Sequence, residues 1–244
     1  MGLQIQMLGT GGAFAKKYFN NNALLYTDHQ TLLIDCGVTA PISLYQLGKT
    51  SADIDAVLIT HIHADHVGGL EEFAFQMKYI YQQRPVLYIA EQLVQPLWEH
   101  TLKGGLGQDG IERLEDAFEV RLLREGQRTP IDSSLEVEII QTPHIEGKKS
   151  YSLYLNGEIF YSADMKFQPE LLKQLTSERG CRKIFHEVQL IGQGIVHTTL
   201  DELLSLPSEI RSQISLMHYG DEMEQCKGHT AEMEFLRQHE IYNL

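Results

Sequence analysis

His61-Ile62-His63-Ala64-Asp65-His66 places three imidazole rings and one carboxylate within six residues, directly after the apolar run from Ile54 to Thr60. Alternate side chains of an extended strand share a face, so His61 and His63 point the same way. Asp65 and His66 then turn toward a neighbouring point, so the segment can supply ligands to two cations about 3.5 to 4 Å apart. This density of ligands predicts a metal site rather than a polar strand end.

Length and composition favour one compact α/β domain over residues 1–244, because 43% of the chain is hydrophobic and no linker or repeat interrupts it. The sequence has no apolar stretch of about eighteen residues and no basic segment leading into an apolar one near Met1. We therefore expect a cytoplasmic protein without membrane contact.

The cysteines Cys36, Cys181 and Cys226 are odd in number, widely spaced and outside any CxxC pair. This usage argues against a disulfide framework and for a reducing compartment. The metals should accordingly be held by nitrogen and oxygen atoms, which favours zinc, manganese or iron over a thiolate site.

The net charge of −13 is spread along the chain, and it would repel a polyanion such as nucleic acid. A small anion is not excluded by this charge, because two divalent cations reverse the sign of the field inside a pocket. Composition therefore favours a small anionic substrate.

The order of predicted elements favours an αββα four-layer sandwich, in which two mixed sheets lie face to face and helices flank both. Short β-like runs separated by glycine and asparagine clusters begin each half, and amphipathic segments follow them. Predicted strands cover 3–8, 23–27, 31–35, 54–60, 86–90, 118–123, 135–141, 151–155 and 158–162, and a further short apolar strand ends at His218; predicted helices cover 41–47, 70–81, 92–102, 169–177, 200–205 and 231–239.

Three further ligands stand where strands should end, namely His144, Asp164 and His218. Taken singly, each would more often be an ordinary residue of a strand end; together with the six-residue run they complete a binuclear centre. The expected division is three imidazoles on one ion and one carboxylate with two imidazoles on the other, bridged by Asp164. The first group is His61, His63 and His144, and the second is Asp65, His66 and His218.

The motif HxHxDH at 61–66, followed by His, Asp and His at strand ends, resembles the metallo-β-lactamase superfamily across essentially the whole chain. An aspartate at 164, rather than a cysteine, is similar to the phosphodiesterase and thioesterase branches. The segments Phe185-His186-Glu187-Val188, Val196-His197-Thr198-Thr199 and Leu216-Met217-His218 resemble, in order, motifs of ribonuclease Z-like phosphodiesterases.

This resemblance implies that His197 contacts the scissile phosphate or protonates the leaving oxygen, and that Glu187 orients it. A separate observation supports His197, because Thr199-Leu200-Asp201-Glu202 reads as a capping box and places this histidine just before a helix N-terminus. His186 is expected to be a buried structural neighbour of the site. The remaining histidines have no comparable context and are expected to be surface or structural residues; they are His29, His100, His229 and His239.

Ribonuclease Z enzymes carry a long arm that grips tRNA, usually inserted between the equivalents of His144 and Asp164. Here that interval spans only 20 positions and contains one short basic stretch, Lys148-Lys149. The shortened layout and the segment from Met7 to Ala23 resemble the anti-Pycsar proteins. That resemblance implies homodimers that hydrolyse 3′,5′-cyclic nucleotides, including cCMP and cUMP, with two divalent ions, zinc or else manganese.

The resulting hypothesis is attack on the cyclic phosphate by a metal-activated hydroxide that Asp65 steers, giving a nucleoside monophosphate. Three alternatives stay open. The first is a ribonuclease Z-like endonuclease that processes tRNA 3′ ends, which the short interval and the charge disfavour. The second is hydrolysis of a thioester or lactam, and the third is a non-catalytic protein that sequesters a cyclic nucleotide.

Overall fold

Two seven-stranded β-sheets form the centre of the protein in the computed structural model, which describes residues 2–108 and 110–244. The first sheet contains β1 (Gln4–Met7), β2 (Ala23–Tyr26), β3 (Thr31–Ile34), β4 (Ala56–Ile59), β5 (Val86–Ala90), β6 (Glu119–Leu123) and β14 (Ile241–Asn243). The second contains β7 (Arg128–Pro130), β8 (Glu136–Gln141), β9 (Tyr151–Leu155), β10 (Ile159–Tyr161), β11 (Lys183–Glu187), β12 (Ile214–Met217) and β13 (Glu234–Phe235).

Both sheets are mixed, with antiparallel strands on one side and parallel strands on the other. The first has the order β14-β1-β2-β3-β4-β5-β6, and its strands are parallel from β3 to β6. The second has the order β13-β12-β11-β10-β9-β8-β7 and is parallel from β10 to β13. Parallel strands end at the same edge of a sheet, so residues that follow them are brought together.

Helices cover the outer faces of the two sheets, which confirms the predicted αββα sandwich. They are α1 (Ala40–Gln46), α2 (Ala64–Val67), α3 (Leu70–Phe75), α4 (Glu91–Leu97), α5 (Lys103–Leu106), α6 (Leu114–Ala117), α7 (Pro169–Ser177), α8 (Leu200–Leu204), α9 (Ser208–Arg211) and α10 (Met223–Cys226). Single π-helical turns, Gln76–Ile80 and Trp98–Leu102, extend α3 and α4.

Side-chain alternation along the second sheet builds two apolar layers. Tyr161 and Phe185 pack with the first sheet, whereas the neighbouring Phe160 and Ile184 pack with Leu172 of α7. Successive side chains of a strand point to opposite faces, so one strand supplies both layers. Burial on both faces holds the strand ends that carry the site in fixed positions.

The predicted helix over 231–239 is wrong. The chain there forms the short strand β13, which adds to β12, and then turns into β14, which pairs with β1. Backbone φ angles of 51° at Ala231 and 68° at His239 lie in the left-handed region and exclude a continuous α-helix. Strands β7, β11, β13 and β14 were not predicted as strands.

Between His144 and Asp164 the chain forms a loop and then the antiparallel pair β9–β10. This matches the two neighbouring strands predicted over 151–155 and 158–162. Among the described residues, no helix has the length and apolar character needed to cross a membrane. The three cysteines are unpaired.

Candidate metal centre and active site

All seven predicted metal ligands lie at one edge of the paired sheets, because each follows the carboxyl end of a strand. The six-residue run follows β4, His144 follows β8, Asp164 follows β10 and His218 follows β12. Their side chains form two adjoining groups that share Asp164, and His218 of the second group also lies close to Glu187 and His197. Apart from His63, which is half-buried, the seven residues are buried.

The first group consists of His61, His63, His144 and Asp164. The Nδ1 atom of His63 lies 3.1 Å from Nε2 of His61 and 3.4 Å from Nε2 of His144. Oδ2 of Asp164 lies 3.7 and 3.8 Å from the same two Nε2 atoms. Three imidazole nitrogens and one carboxylate oxygen thus surround a single point.

The second group consists of Asp65, His66, Asp164 and His218. The Nε2 atoms of His66 and His218 each lie 3.3 Å from Oδ2 of Asp65. Each also lies 3.3 Å from Oδ1 of Asp164. Asp164 therefore turns one oxygen to each group, as a bridging carboxylate does.

The distances between ligand atoms in both groups are those expected around a bound cation. Tetrahedral ligands placed about 2.0 to 2.1 Å from a zinc ion stand roughly 3.3 Å from one another. Two atoms of the second group, Nε2 of His66 and Oδ1 of Asp164, are fully buried and have no hydrogen-bond partner. Buried polar atoms are rarely left unpaired, and a cation between these two would satisfy both. The histidine and aspartate groups fit a binuclear metal site.

Asp35 supports this centre from the outer side of His66, a role that no sequence pattern indicated. Its carboxylate accepts a hydrogen bond from Nδ1 of His66 at 2.8 Å and from the backbone and hydroxyl of Thr60 at 2.8 and 2.7 Å. A carboxylate on the outer nitrogen of a ligating histidine fixes its tautomer and ring orientation. His144 is fixed similarly, since its Nδ1 donates to the Val196 carbonyl at 2.8 Å.

Gly37 allows the metal motif to lie close to the loop after β3. A Cβ atom at Gly37 would stand 1.9 Å from the backbone oxygen of Asp65, a distance that no side chain tolerates. The same loop is tied to the motif by Asn22, whose side chain binds both the Gly37 amide and the Asp65 carbonyl. This position therefore needs glycine for close backbone approach.

The imidazoles of the two groups differ in protonation when no cation is present. Burial lowers the pKa of His144 to about 4 and that of His61 well below its usual range, so the first group is neutral. Burial also disfavours charge on His66 and His218, but the surrounding carboxylates, Asp164 foremost among them, together outweigh it in both. The pKa of His66 is raised well above its usual range and that of His218 to about 9.

We expect cation binding to release about two protons at pH 7, one each from His66 and His218, because a histidine must be deprotonated to ligate. Their paired charges stabilise the metal-free protein fully below about pH 6.5, and the His218 contribution is lost as the pH rises through about 9. Titration calorimetry with Zn²⁺ in buffers of different ionisation enthalpy measures the release. The ion held by the second group should bind more tightly as the pH rises from 6 to 9. An affinity that does not change with pH would contradict the protonation of His66 and His218 in the metal-free protein.

His197 and Glu187 form a hydrogen-bonded pair beside the metal groups. Nδ1 of His197 lies 3.0 and 3.1 Å from the two Glu187 oxygens and 4.0 Å from Oδ2 of Asp164. Glu187 is fully buried and also accepts the Met165 amide at 2.7 Å. Burial disfavours the charged ring, but the Glu187 carboxylate raises the pKa of His197 above its usual value. With Nδ1 engaged, Nε2 is free to exchange a proton with a substrate.

The capping box expected after His197 is confirmed at the start of α8. Thr199 accepts the Glu202 amide at 3.3 Å, and Glu202 accepts the Thr199 amide at 2.8 Å. His186 points elsewhere: it is buried and its Nδ1 donates to a backbone carbonyl, as expected for a structural residue.

A cavity of about 390 Å³ borders His61, His63 and His144, and two further cavities, of about 550 and 570 Å³, open beside it. His197 lines the latter two. The larger is also lined by His63, Asp65, His144 and Asp164, and it therefore gives access to both metal groups. A molecule in this space would lie against both ligand groups and the imidazole of His197.

A family model described as "Anti-Pycsar protein Apyc1" matches residues 3–242. The chain is 67% identical over 245 residues to an "Anti-Pycsar protein Apyc1" of Paenibacillus sp. (strain J14), with all of both chains covered. It is 60% identical over 240 residues to the protein of that name from Saccharibacillus brassicae, covering 98% of this chain and 99% of the relative. The solved metallo-β-lactamase fold protein YhfI from Bacillus subtilis, 15% identical, superposes with a TM-score of 0.78 over both whole chains, which confirms the fold. The chain belongs to the anti-Pycsar Apyc1 family.

Proposed function

We propose that the protein is a binuclear metal-dependent phosphodiesterase that opens 3′,5′-cyclic nucleotides, including cCMP and cUMP, to nucleoside monophosphates. The observation that carries the proposal is the position of the His197–Glu187 pair, 4.0 Å from the oxygen of Asp164 that faces the first metal group. Hydrolysis of a phosphodiester needs positive charge next to the phosphate oxygens and a proton for the leaving oxygen. The two ligand groups and His197 would supply both at one site.

Two divalent ions, when bound, supply positive charge for the phosphate and lower the pKa of water. The chain's own residues do the rest. Asp65, the carboxylate of the second group, would accept the proton of the attacking water, and His197 would donate a proton from Nε2 to the departing ribose oxygen. Water adds its oxygen to phosphorus while one P–O ester bond breaks, so a phosphomonoester and a free hydroxyl result. Glu187 holds the imidazole in the protonated, correctly turned form.

A small substrate is favoured over tRNA by the layout around the site. The interval from His144 to Asp164 contains a loop and one hairpin, and the net charge is −13. A polyanion binds through many phosphate contacts, and such binding weakens against a surface of its own sign. Cavities of about 550 and 570 Å³ suit a mononucleotide.

The test is a panel of cyclic mono- and dinucleotides and a precursor tRNA, incubated with the zinc-loaded protein with and without a chelator. We expect each hydrolysed cyclic mononucleotide to yield one nucleoside monophosphate, and chelator to abolish the reaction. Cleavage of the precursor tRNA with cyclic nucleotides left intact would favour the ribonuclease Z alternative. Tight binding of a cyclic nucleotide without product would favour sequestration.

We also propose that the protein is a homodimer that removes cyclic pyrimidine signals of antiviral defence. The family name supports the second part. The first is supported by an apolar surface on which Val38, Ile42, Tyr45 and Ile80 line one shallow cavity and are exposed. Exposed apolar patches of this kind mark interfaces. Light scattering should give twice the 27.8 kDa chain mass, and a monomer would contradict the assembly.

A further inference from the structure

An exposed aromatic side chain stands at the tip of a tight turn beside the site. The Ala15 amide donates to the Gly12 carbonyl at 3.1 Å, which closes a β-turn with Ala13 and Phe14 as its central residues. The Phe14 side chain is 91% exposed. It packs into no core, so the turn gains no folding stability from holding a phenyl ring in water.

Both ends of this turn are fixed to the strand end that carries His218. The Gly12 amide donates to the Tyr219 carbonyl at 3.0 Å, and a Cβ atom at Gly12 would lie 3.2 Å from the His218 ring. After the turn, Oδ1 of Asp221 accepts the amides of Lys16 and Lys17 at 2.9 and 2.8 Å. The phenyl ring is exposed, but its backbone is held in place relative to a metal-ligating residue.

Phe14 also lines both cavities over the site, and His197 is their common wall. A phosphodiester placed on the metal groups would carry its ribose and base outward through this space. The exposed face of a phenyl ring is a surface on which any base can stack, since every base has a π-face.

We propose that Phe14 is the platform on which the substrate's base stacks, and that Asp221 is the positioning residue that holds this platform. The proposal rests on the cyclic nucleotide function above and adds the residue that recognises the base. Stacking of this kind tolerates different bases, so Phe14 would give the enzyme affinity for purine and pyrimidine cyclic nucleotides alike. A contact of Phe14 with a second copy of the chain is the competing outcome of the test.

The test compares Phe14→Ala, Phe14→Trp and the wild type on cCMP, on cAMP and on methyl riboside 3′,5′-cyclic phosphate, which has no base. Loss of one base stack should lower kcat/KM of Phe14→Ala about 5- to 150-fold on both nucleotides, chiefly through KM. The base-free substrate should be hydrolysed as by the wild type, and Phe14→Trp should retain nucleotide activity. Ile241→Ala, which removes an exposed apolar side chain that lines neither cavity, is the matched control.

Equal losses on all three substrates, with or without a change in molar mass by light scattering, would overturn the role of Phe14. Absence of wild-type turnover on any cyclic nucleotide would instead overturn the function itself. For Asp221, alanine should raise KM for nucleotides alone, whereas Asp221→Asn should rescue it, because the amide keeps the oxygen that accepts both lysine amides. An Asp221→Ala variant with unchanged KM would remove its positioning role.

Discussion

The Asp164→Ala variant is expected to hold fewer than two divalent ions per chain and to lose kcat/KM on cyclic nucleotides by about a thousandfold or more. Asp164 turns Oδ2 to the first metal group and Oδ1 to the second, so one substitution removes a ligand from both. Two bound ions would stabilise the charge of the transition state by several kcal/mol, and each 1.36 kcal/mol is a factor of ten in rate. Elemental analysis of the purified protein measures the ions and also identifies them, with zinc expected and manganese the alternative.

The variant must be distinguished from a misfolded protein. In the metal-free state Asp164 pairs with the protonated His66 and His218, and removal of a buried counterion destabilises by itself. Asp164→Asn keeps the side-chain volume and should lose ions and activity equally. Asp201→Ala, on the exposed first turn of α8, is the control and should match the wild type. Two tightly held ions and near-wild-type turnover in Asp164→Ala would sink the binuclear scheme.

The ligand positions could be predicted from the sequence because each is local to a strand end. His61 to His66, His144, Asp164 and His218 each follow an apolar run, and strand ends on one side of a layered sheet meet at one edge. The capping box at Thr199 was equally local, because its two partners stand three residues apart. Patterns of this kind need no knowledge of which strands pair.

Contacts between distant elements were not predictable in this way. Asp35 lies 31 positions from His66, and only the pairing of β3 with β4 places its carboxylate on that ring. The segment over 231–239 carries apolar residues at spacings that suit either a helix or a strand. This segment forms strands because β12 and β1 each have an unpaired edge with which it can hydrogen-bond. A helix on the surface would leave those backbone groups without a partner strand.

The metal groups alone do not specify a phosphodiesterase, because the same ions activate water against many substrates. The specific element is the pair behind them, where a buried carboxylate holds an imidazole at the edge of two cavities. A buried Glu187 next to Asp164 is costly unless a cation lies between them. His197 lies against Glu187 and supplies that charge, and in the proposed reaction its proton is the one that the leaving oxygen receives.

His197→Ala is therefore expected to keep both ions and to lose kcat on cyclic nucleotides by about 10²- to 10⁴-fold, the usual contribution of a positioned acid. On bis(p-nitrophenyl) phosphate, whose leaving group departs without a proton, the loss should be much smaller.

Glu187→Gln removes the charge that raises the pKa of His197 while the ring stays buried, so the pKa of His197 should fall. An acid works only while protonated, so the basic limb of the kcat profile should move to lower pH. His229→Ala, an exposed histidine, is the control. If kcat of Glu187→Gln falls by the same factor at every pH and the basic limb does not move, the His197–Glu187 pair has a structural role. Glu187 can shift that limb only if His197 is the proton donor whose pKa it sets.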